Sequence, residues 1–364
     1  MVDRVDMDKG VIGNESTITA HSIDTASIDS INLTEETEYI NERFTKDWGY
    51  FTRVAKLNSA IIMKAIWTVG KGYTTKDKLS ESILENITGN GKQTFLEILF
   101  NLIVTKQAVR DSFAEIIRND KGTLINLKIL NPENMKIVFD NTGKIKRYEQ
   151  SDASAKKAPI KFQPNEIFHL SHNNFGGSIH GTSVPETMEK TILADDQSFD
   201  IMKRLTTFQA VPFIIYKVKS DDTTTIANFK ANLKTARTTG DDLIIPDDDN
   251  IISYEVVTVN PSSVLMEWRN SVNNQYYREL GLPLVLFGAA GSTESGSKME
   301  VFGHETIFEH NQLDVENQIW NQLAIRLKLN SPDKLLGNLQ QDESKDKQNA
   351  LNLQPSDGTA GSGR

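Results

Sequence analysis

The sequence of 364 residues predicts an α+β protein whose body is interrupted by a small α/β insert held between two helices. Three observations predict this. Over residues 51–170 the apolar spacing switches repeatedly between the helical and the strand period. Two helical patterns, 185–208 and 261–280, bracket a segment with its own strand and helix signals. A Gly/Ser-rich stretch, 288–297, then leads into a long helical pattern over 298–329.

Residues 1–34 are polar, with no sustained period, and read as a flexible arm; the region from Gln340 to the end reads as a disordered tail. Val54, Leu57, Ile61 and Ala65 set a helix over 51–66 that stops at Gly70-Lys71-Gly72. Phe95, Ile98, Leu99, Leu102 and Ile103 share one face of a helix over 94–108. Strands follow at 114–118 and 124–129 about Asn119-Asp120-Lys121-Gly122, at 136–139 and 144–148 about Asp140-Asn141-Thr142-Gly143, and at 167–170. Pro185 suits a first helical position. The helix it opens carries Met188, Ile192, Phe199, Met202 and Leu205 on one face, with Glu189, Asp196, Asp200 and Lys203 on the other. The insert, 211–259, reads as a strand at 213–218, a helix at 224–236 and strands near 243–245 and 253–257. Pro261 opens the next helix, with Val264, Leu265, Trp268, Val272 and Tyr276 in register. No internal repeat is found.

Composition excludes several classes. The chain has no cysteine, so no disulfide framework, zinc-thiolate site or iron–sulfur cluster can form. No apolar run approaches the roughly 18 residues of a membrane span, and Met1-Val2-Asp3-Arg4-Val5-Asp6 lacks the apolar core of a signal peptide. Formal net charge is −9, with no basic block of the kind that grips nucleic acid. Contact with DNA, if made, is contact without a grip.

Candidate chemistry is sparse. His169 and His172, with His180 nearby, could ligate a metal, but no zincin helix is present. Asp247-Asp248-Asp249 lacks the spacing of a calcium loop and reads as a solvated turn. Gly70-Lys71-Gly72 and Gly176-Gly177 match neither phosphate-binding glycine motif. No enzyme signature and no cofactor motif emerges. The best functional candidate is the loop containing Gly288, Gly291, Ser292, Thr293, Glu294, Ser295 and Gly296, with Lys298 at its edge, although a surface linker has the same composition.

Several segments resemble, in order, those of the portal proteins of tailed double-stranded DNA bacteriophages. They are Phe113-Ala114-Glu115-Ile116-Ile117-Arg118-Asn119, Leu130-Asn131-Pro132-Glu133-Asn134-Met135, Asn165-Glu166-Ile167-Phe168-His169-Leu170, Gly181-Thr182-Ser183-Val184 and Arg278-Glu279-Leu280-Gly281-Leu282-Pro283. Each is weak alone, and their order over about 45–330 makes the resemblance specific. Leu284 stands where the family often has a second proline, and the region after Leu329 is short for a crown.

The resemblance implies a homo-oligomeric ring, commonly of twelve subunits, at one capsid vertex. Double-stranded DNA passes through it, the major capsid protein surrounds it, and terminase and later head-completion or tail proteins dock on it. It implies a virion protein, assembled in the host cytoplasm, with no membrane and no cofactor. It divides the chain into an arm (1–40), wing (41–184), stem helix (185–209), clip (210–260), second stem helix (261–281), tunnel loop with long wing helix (282–330) and a crown remnant or tail (331–364). Under that mapping Glu189, Asp196 and Asp200 are candidates to line the channel, Lys230, Lys234 and Arg237 face the terminase, and residues 288–298 meet DNA. Two other readings of the residues stand beside it: a metal-dependent hydrolase using His169 and His172, and a monomeric adaptor that binds one protein.

Overall fold

The computed structural model describes residues 36–140, 142–151, 158–210, 213–218, 223–239, 252–257, 263–284 and 294–332. The chain forms two compact units, one of residues 1–189 with 276–364, the other of residues 190–275.

The first unit begins with strand β1 (Thr37–Ile40), so the last residues assigned to the arm are sheet. Where the spacing predicts one helix over 51–66 there are two, α1 (Phe44–Arg53) and α2 (Ala55–Val69), parted at Val54, which is extended. The Asn58 amide donates to the Phe51 carbonyl at 3.2 Å, which satisfies a group that the break releases. Helix α2 stops at Gly70, whose φ is +67°. Lys71 N–H donates to the Asn330 carbonyl and Asn330 N–H to the Gly72 carbonyl, both at 2.8 Å. The Gly-Lys-Gly segment is therefore the turn into β2 (Tyr73–Thr75), and a Cβ at Gly70 would stand 2.0 Å from the Asn330 carbonyl oxygen.

Helix α3 (Lys78–Glu85), which the periodicity does not show, is started by Asp77, whose carboxylate accepts from Ser80 N–H at 2.6 Å. Helix α4 (Phe95–Val109) opens on a capping box between Thr94 and Glu97. Its predicted apolar face is buried throughout. Strands β3 (Asp111–Arg118), β4 (Leu124–Leu130), β5 (Met135–Phe139), β6 (Ile145–Gln150), β7 (Ile160–Phe162) and β8 (Ile167–Ser171) follow. They make two antiparallel sheets, ordered β1-β5-β6-β7 and β4-β3-β8.

Strand alternation builds two cores from one sheet. On β3, Ala114 and Ile116 enter a cluster with α4, while Phe113 enters a second cluster with Met135, Ile137, Phe139 and Tyr148. On β8, Phe168 and Leu170 join the first cluster and Ile167 the second, so His169 falls on the second side, stacked on Phe113 at 4.5 Å.

The long terminal helix, α8, is corrected at both ends. It spans Glu294–Leu323, so it begins inside the stretch read as loop. It stops before Ala324, whose φ is +60°, and Leu327–Leu329 is a strand, β11, paired with β2. Leu327 and Leu329 alternate into the first core, which a helix could not arrange. Among the described residues no helix is long and apolar enough to cross a membrane.

The second unit holds most of α5 (Val184–Ala210), strand β9 (Phe213–Val218), α6 (Thr223–Thr239), strand β10 (Ile252–Val257) and most of α7 (Ser263–Glu279). Strands β9 and β10 pair antiparallel, Phe213 against Val257. The expected strand at 243–245 lies outside the described residues. Phe199 and Trp268, placed on apolar faces by periodicity, are exposed in the single chain. The Arg269 guanidinium lies 5.3 Å over the Phe199 ring.

Candidate functional site

The start of α5 gathers a network of buried and half-buried polar side chains. Gly181-Thr182-Ser183 leads into it. A Cβ at Gly181 would stand 2.4 Å from the His172 carbonyl oxygen and 2.6 Å from that of Arg110, so only glycine fits. Ser183 Oγ accepts from Glu186 N–H at 3.2 Å as an N-cap and donates to buried Asp47 at 2.6 Å. Arg110 grips Glu186 bidentately, Nε to Oε2 at 3.0 Å and Nη2 to Oε1 at 2.7 Å. Arg43 reaches Asp47 at 3.4 Å, Glu186 at 3.7 Å and Glu189 at 3.2 Å. Glu189 also pairs with Lys46 and accepts from the Tyr50 hydroxyl at 3.2 Å.

Both members of the pair Arg43–Asp47 are raised, which favours the charged form of Arg43 and the neutral form of Asp47. Burial pushes the Asp47 carboxyl up, beyond what Ser183 and Arg43 offset. Arg43 is raised despite burial, because Asp47, Glu186 and Glu189 share its charge. The three carboxylates divide one guanidinium, and for Asp47, the most buried, burial outweighs the share it receives. For Glu189, burial is outweighed by the hydrogen bonds from Lys46 and Arg43, and the carboxyl is lowered. Of the three acids expected on the channel wall, Glu189 is thus engaged within its own chain, whereas Asp196 and Asp200 are exposed.

The three histidines take structural posts. Asp111 is buried and bonded by His169 Nε2 at 3.1 Å and His180 Nδ1 at 2.8 Å. Burial would raise its carboxyl, but these two hydrogen bonds hold it well below the usual range. The Asp111 carboxylate accepts, so Nε2 is the donor, and His169 Nδ1 lies 3.2 Å from the Tyr148 hydroxyl. Ser171 Oγ lies 3.1 Å from that same Nε2. A serine nucleophile and an orienting carboxylate must sit on opposite imidazole nitrogens, so this is no catalytic triad. His172 points elsewhere, with Nδ1 donating to the Thr182 carbonyl at 2.7 Å. Among the described residues no group of three ligating side chains could hold a metal, and Asp247-Asp248-Asp249 lies outside them.

Helix α8 has two apolar faces. Val301, Phe308, Val315, Ile319 and Leu323 are buried in the body. Met299, Phe302, Leu313 and Trp320 are exposed, Phe302 at 59% and Trp320 at 42%. At 3.6 residues per turn these four fall on one stripe, about 110° around the helix from the buried face. Of the expected tunnel-loop residues, Gly288, Gly291, Ser292 and Thr293 lie outside the described residues. Glu294, Ser295, Gly296 and Lys298 stand in the first turns of α8. Lys230 and Lys234 are exposed on α6, and Arg237 occupies its last turn.

The family model described as phage portal protein matches residues 62–306, more than half of the chain. No curated protein sequence matches. Among solved structures, a chain from the neck of a native gene transfer agent particle, computed with C12 symmetry, has a TM-score of 0.62 and 15% identity, covering 88% of this chain and 96% of that one. A chain from the virion of a native gene transfer agent particle has a TM-score of 0.61 and 14% identity, covering 86% and 91%. An HK97 family phage portal protein from Corynebacterium diphtheriae has a TM-score of 0.47 and 12% identity, covering 84% and 96%. The first two share this mixed helix-and-sheet fold. The chain belongs to the phage portal protein family.

Residue-by-residue reading missed Arg43, Asp47, Arg110, Asp111 and Gln322. One signal was present. Arg110-Asp111-Ser112 sits between two apolar runs, where charged side chains are buried only if paired.

Proposed function

We propose that the chain is one subunit of a closed ring at a capsid vertex, the channel through which double-stranded DNA is packaged and ejected. The carrying observation is the second apolar stripe of α8, Met299, Phe302, Leu313 and Trp320, exposed on the single chain. Monomeric proteins rarely leave such a stripe bare, and a cyclic heterologous contact would cover it in every copy. Twelve copies are proposed, by analogy with the neck assembly computed with C12 symmetry.

In this reading α5 and α7 are the stem, the segment 210–260 is the clip that docks terminase and later the connector proteins, and residues 288–298 form the tunnel loop. Lys230, Lys234 and Arg237 are proposed to face the motor. Asp196 and Asp200 repel phosphate, so the duplex slides rather than sticks. The ring hydrolyses nothing, and the motor partner supplies ATP hydrolysis. The test is a double variant, Phe302→Glu with Trp320→Glu, compared with the parent by mass photometry. The proposal expects the ring mass to vanish while the thermal melt of the subunit stays in place. A ring that persists with both glutamates present would overturn it.

A further inference from the structure

In a ring of more than two copies each contact joins two different patches of the chain, so the bare stripe of α8 needs a complement elsewhere on the same molecule. Helix α1 carries one. Trp48, 39% exposed, lies against Phe44 and Phe51, with ring centroids 6.1 and 5.2 Å away.

The two helices present the same local arrangement. In α1 the exposed Trp48 is followed by Gly49 and, one turn on, by Thr52; in α8 the exposed Phe302 is followed by Gly303 and Thr306. Each threonine hydroxyl donates back to the carbonyl of its own aromatic, Thr52 to Trp48 at 2.9 Å and Thr306 to Phe302 at 3.0 Å. The hydroxyl is thereby satisfied within its helix and asks nothing of a partner. Gly49 and Gly303 lack both usual reasons for glycine. Neither has a positive φ, and an added Cβ would meet nothing within 4 Å. Inside a helix glycine costs backbone entropy that alanine would spare. What it provides at these two places is a notch beside an aromatic ring, open to a body from outside the chain.

A ring and a notch on each helix are complementary. The Phe302 ring has room over Gly49 and the Trp48 ring over Gly303, as side chains of one helix enter the grooves of another. Arg53, one turn beyond Gly49, and Glu309, between Phe302 and Leu313, are both exposed and bring opposite charges to the two faces.

We propose that the face of α1 bearing Trp48 and Gly49 docks on the α8 stripe of the next copy, each aromatic ring seated in the other helix's glycine notch. The inference rests on the ring reading above and adds the second half of its contact.

The sequence contains no cysteine, so introduced thiols report without background. In the full chain Thr52→Cys and Thr306→Cys are made singly and together, oxidised, and read on non-reducing gels beside mass photometry of the same samples. The double variant is expected to give a ladder of linked copies ending at the ring, and the single variants none. A ring by mass that yields no ladder overturns this pairing and leaves the ring standing. Dimers from Thr306→Cys alone would set α8 against α8 and overturn it too. No ring from the parent chain contradicts the ring itself, and the pairing with it. Gly49→Gln gives a reading that needs no cross-link. It fills the notch with a good helix former, so the urea midpoint of the subunit should hold or rise, while the concentration at which half the rings dissociate should rise at least about tenfold. Unchanged ring dissociation overturns the proposal.

Discussion

Replacing Gly181 by alanine should destabilise the first unit by about 3–5 kcal/mol. The added Cβ would meet three backbone atoms, His172 O at 2.4 Å, Arg110 O at 2.6 Å and His172 N at 2.7 Å. None is the end of a flexible side chain, so the backbone itself must part. Two hydrogen bonds hold it: His172 N–H to the Arg110 carbonyl at 2.8 Å and Thr182 N–H to the His172 carbonyl at 2.7 Å. Losing both costs about 2 kcal/mol, and the residual overpacking adds about 1–3 kcal/mol. Against a total stability of roughly 5–15 kcal/mol that is a large fraction. The assay is urea denaturation followed by circular dichroism. Gly303→Ala is the comparison, because an added Cβ there meets open space in the middle of α8, and it should gain about 0.5–1 kcal/mol. If Gly181→Ala came within about 1 kcal/mol of the parent, the close approach would not be what selects glycine.

Arg110→Met removes one partner of a largely buried bidentate pair and should cost about 3 kcal/mol, measured by the same denaturation. Burial, with nearby Lys64 and Lys106, holds His172 at about 4 rather than 6.5. The unfolded state therefore binds more protons between those values, and stability should fall by up to about 3 kcal/mol as pH drops from 6.5 to 4. His172→Asn should flatten that slope in denaturation series across the window. Asp111 acts lower still: its depressed carboxyl contributes stability that is present above its unfolded value of about 3.8 and is lost as pH falls below it. Asp196→Lys with Asp200→Lys should make assembled rings retain duplex DNA in a salt-dependent manner, read by filter binding across a salt series.

The order of elements was legible because long, regular periods survive any context. Phe95 to Ile103 is a helical face in the sequence and in the structure, and the segments holding Ile116 and Leu170 are strands in both. Boundaries failed where packing chose against local pattern. Leu327 and Leu329 continue a helical period on paper, yet they enter the core only as a strand beside Tyr73 and Thr75. The break at Val54 has no proline or glycine to announce it, and the Asn58 amide that tolerates it is visible only once folded. The polar junction was less legible still. Arg43 and Glu189 are 146 positions apart, and no spacing rule joins them. Gly181 and Ser183 were noticed only through the family resemblance, while their reasons, a backbone contact and an N-cap, are local physics.

The central claim is tested most directly by electron cryomicroscopy of the purified chain, with native mass spectrometry of the same sample. The account predicts a closed ring of twelve copies, with Phe302 and Trp320 covered by the neighbouring subunit and Asp196 and Asp200 on the wall of the central hole. A stable monomer or dimer at all concentrations, or a ring in which that stripe of α8 faces solvent, would contradict it.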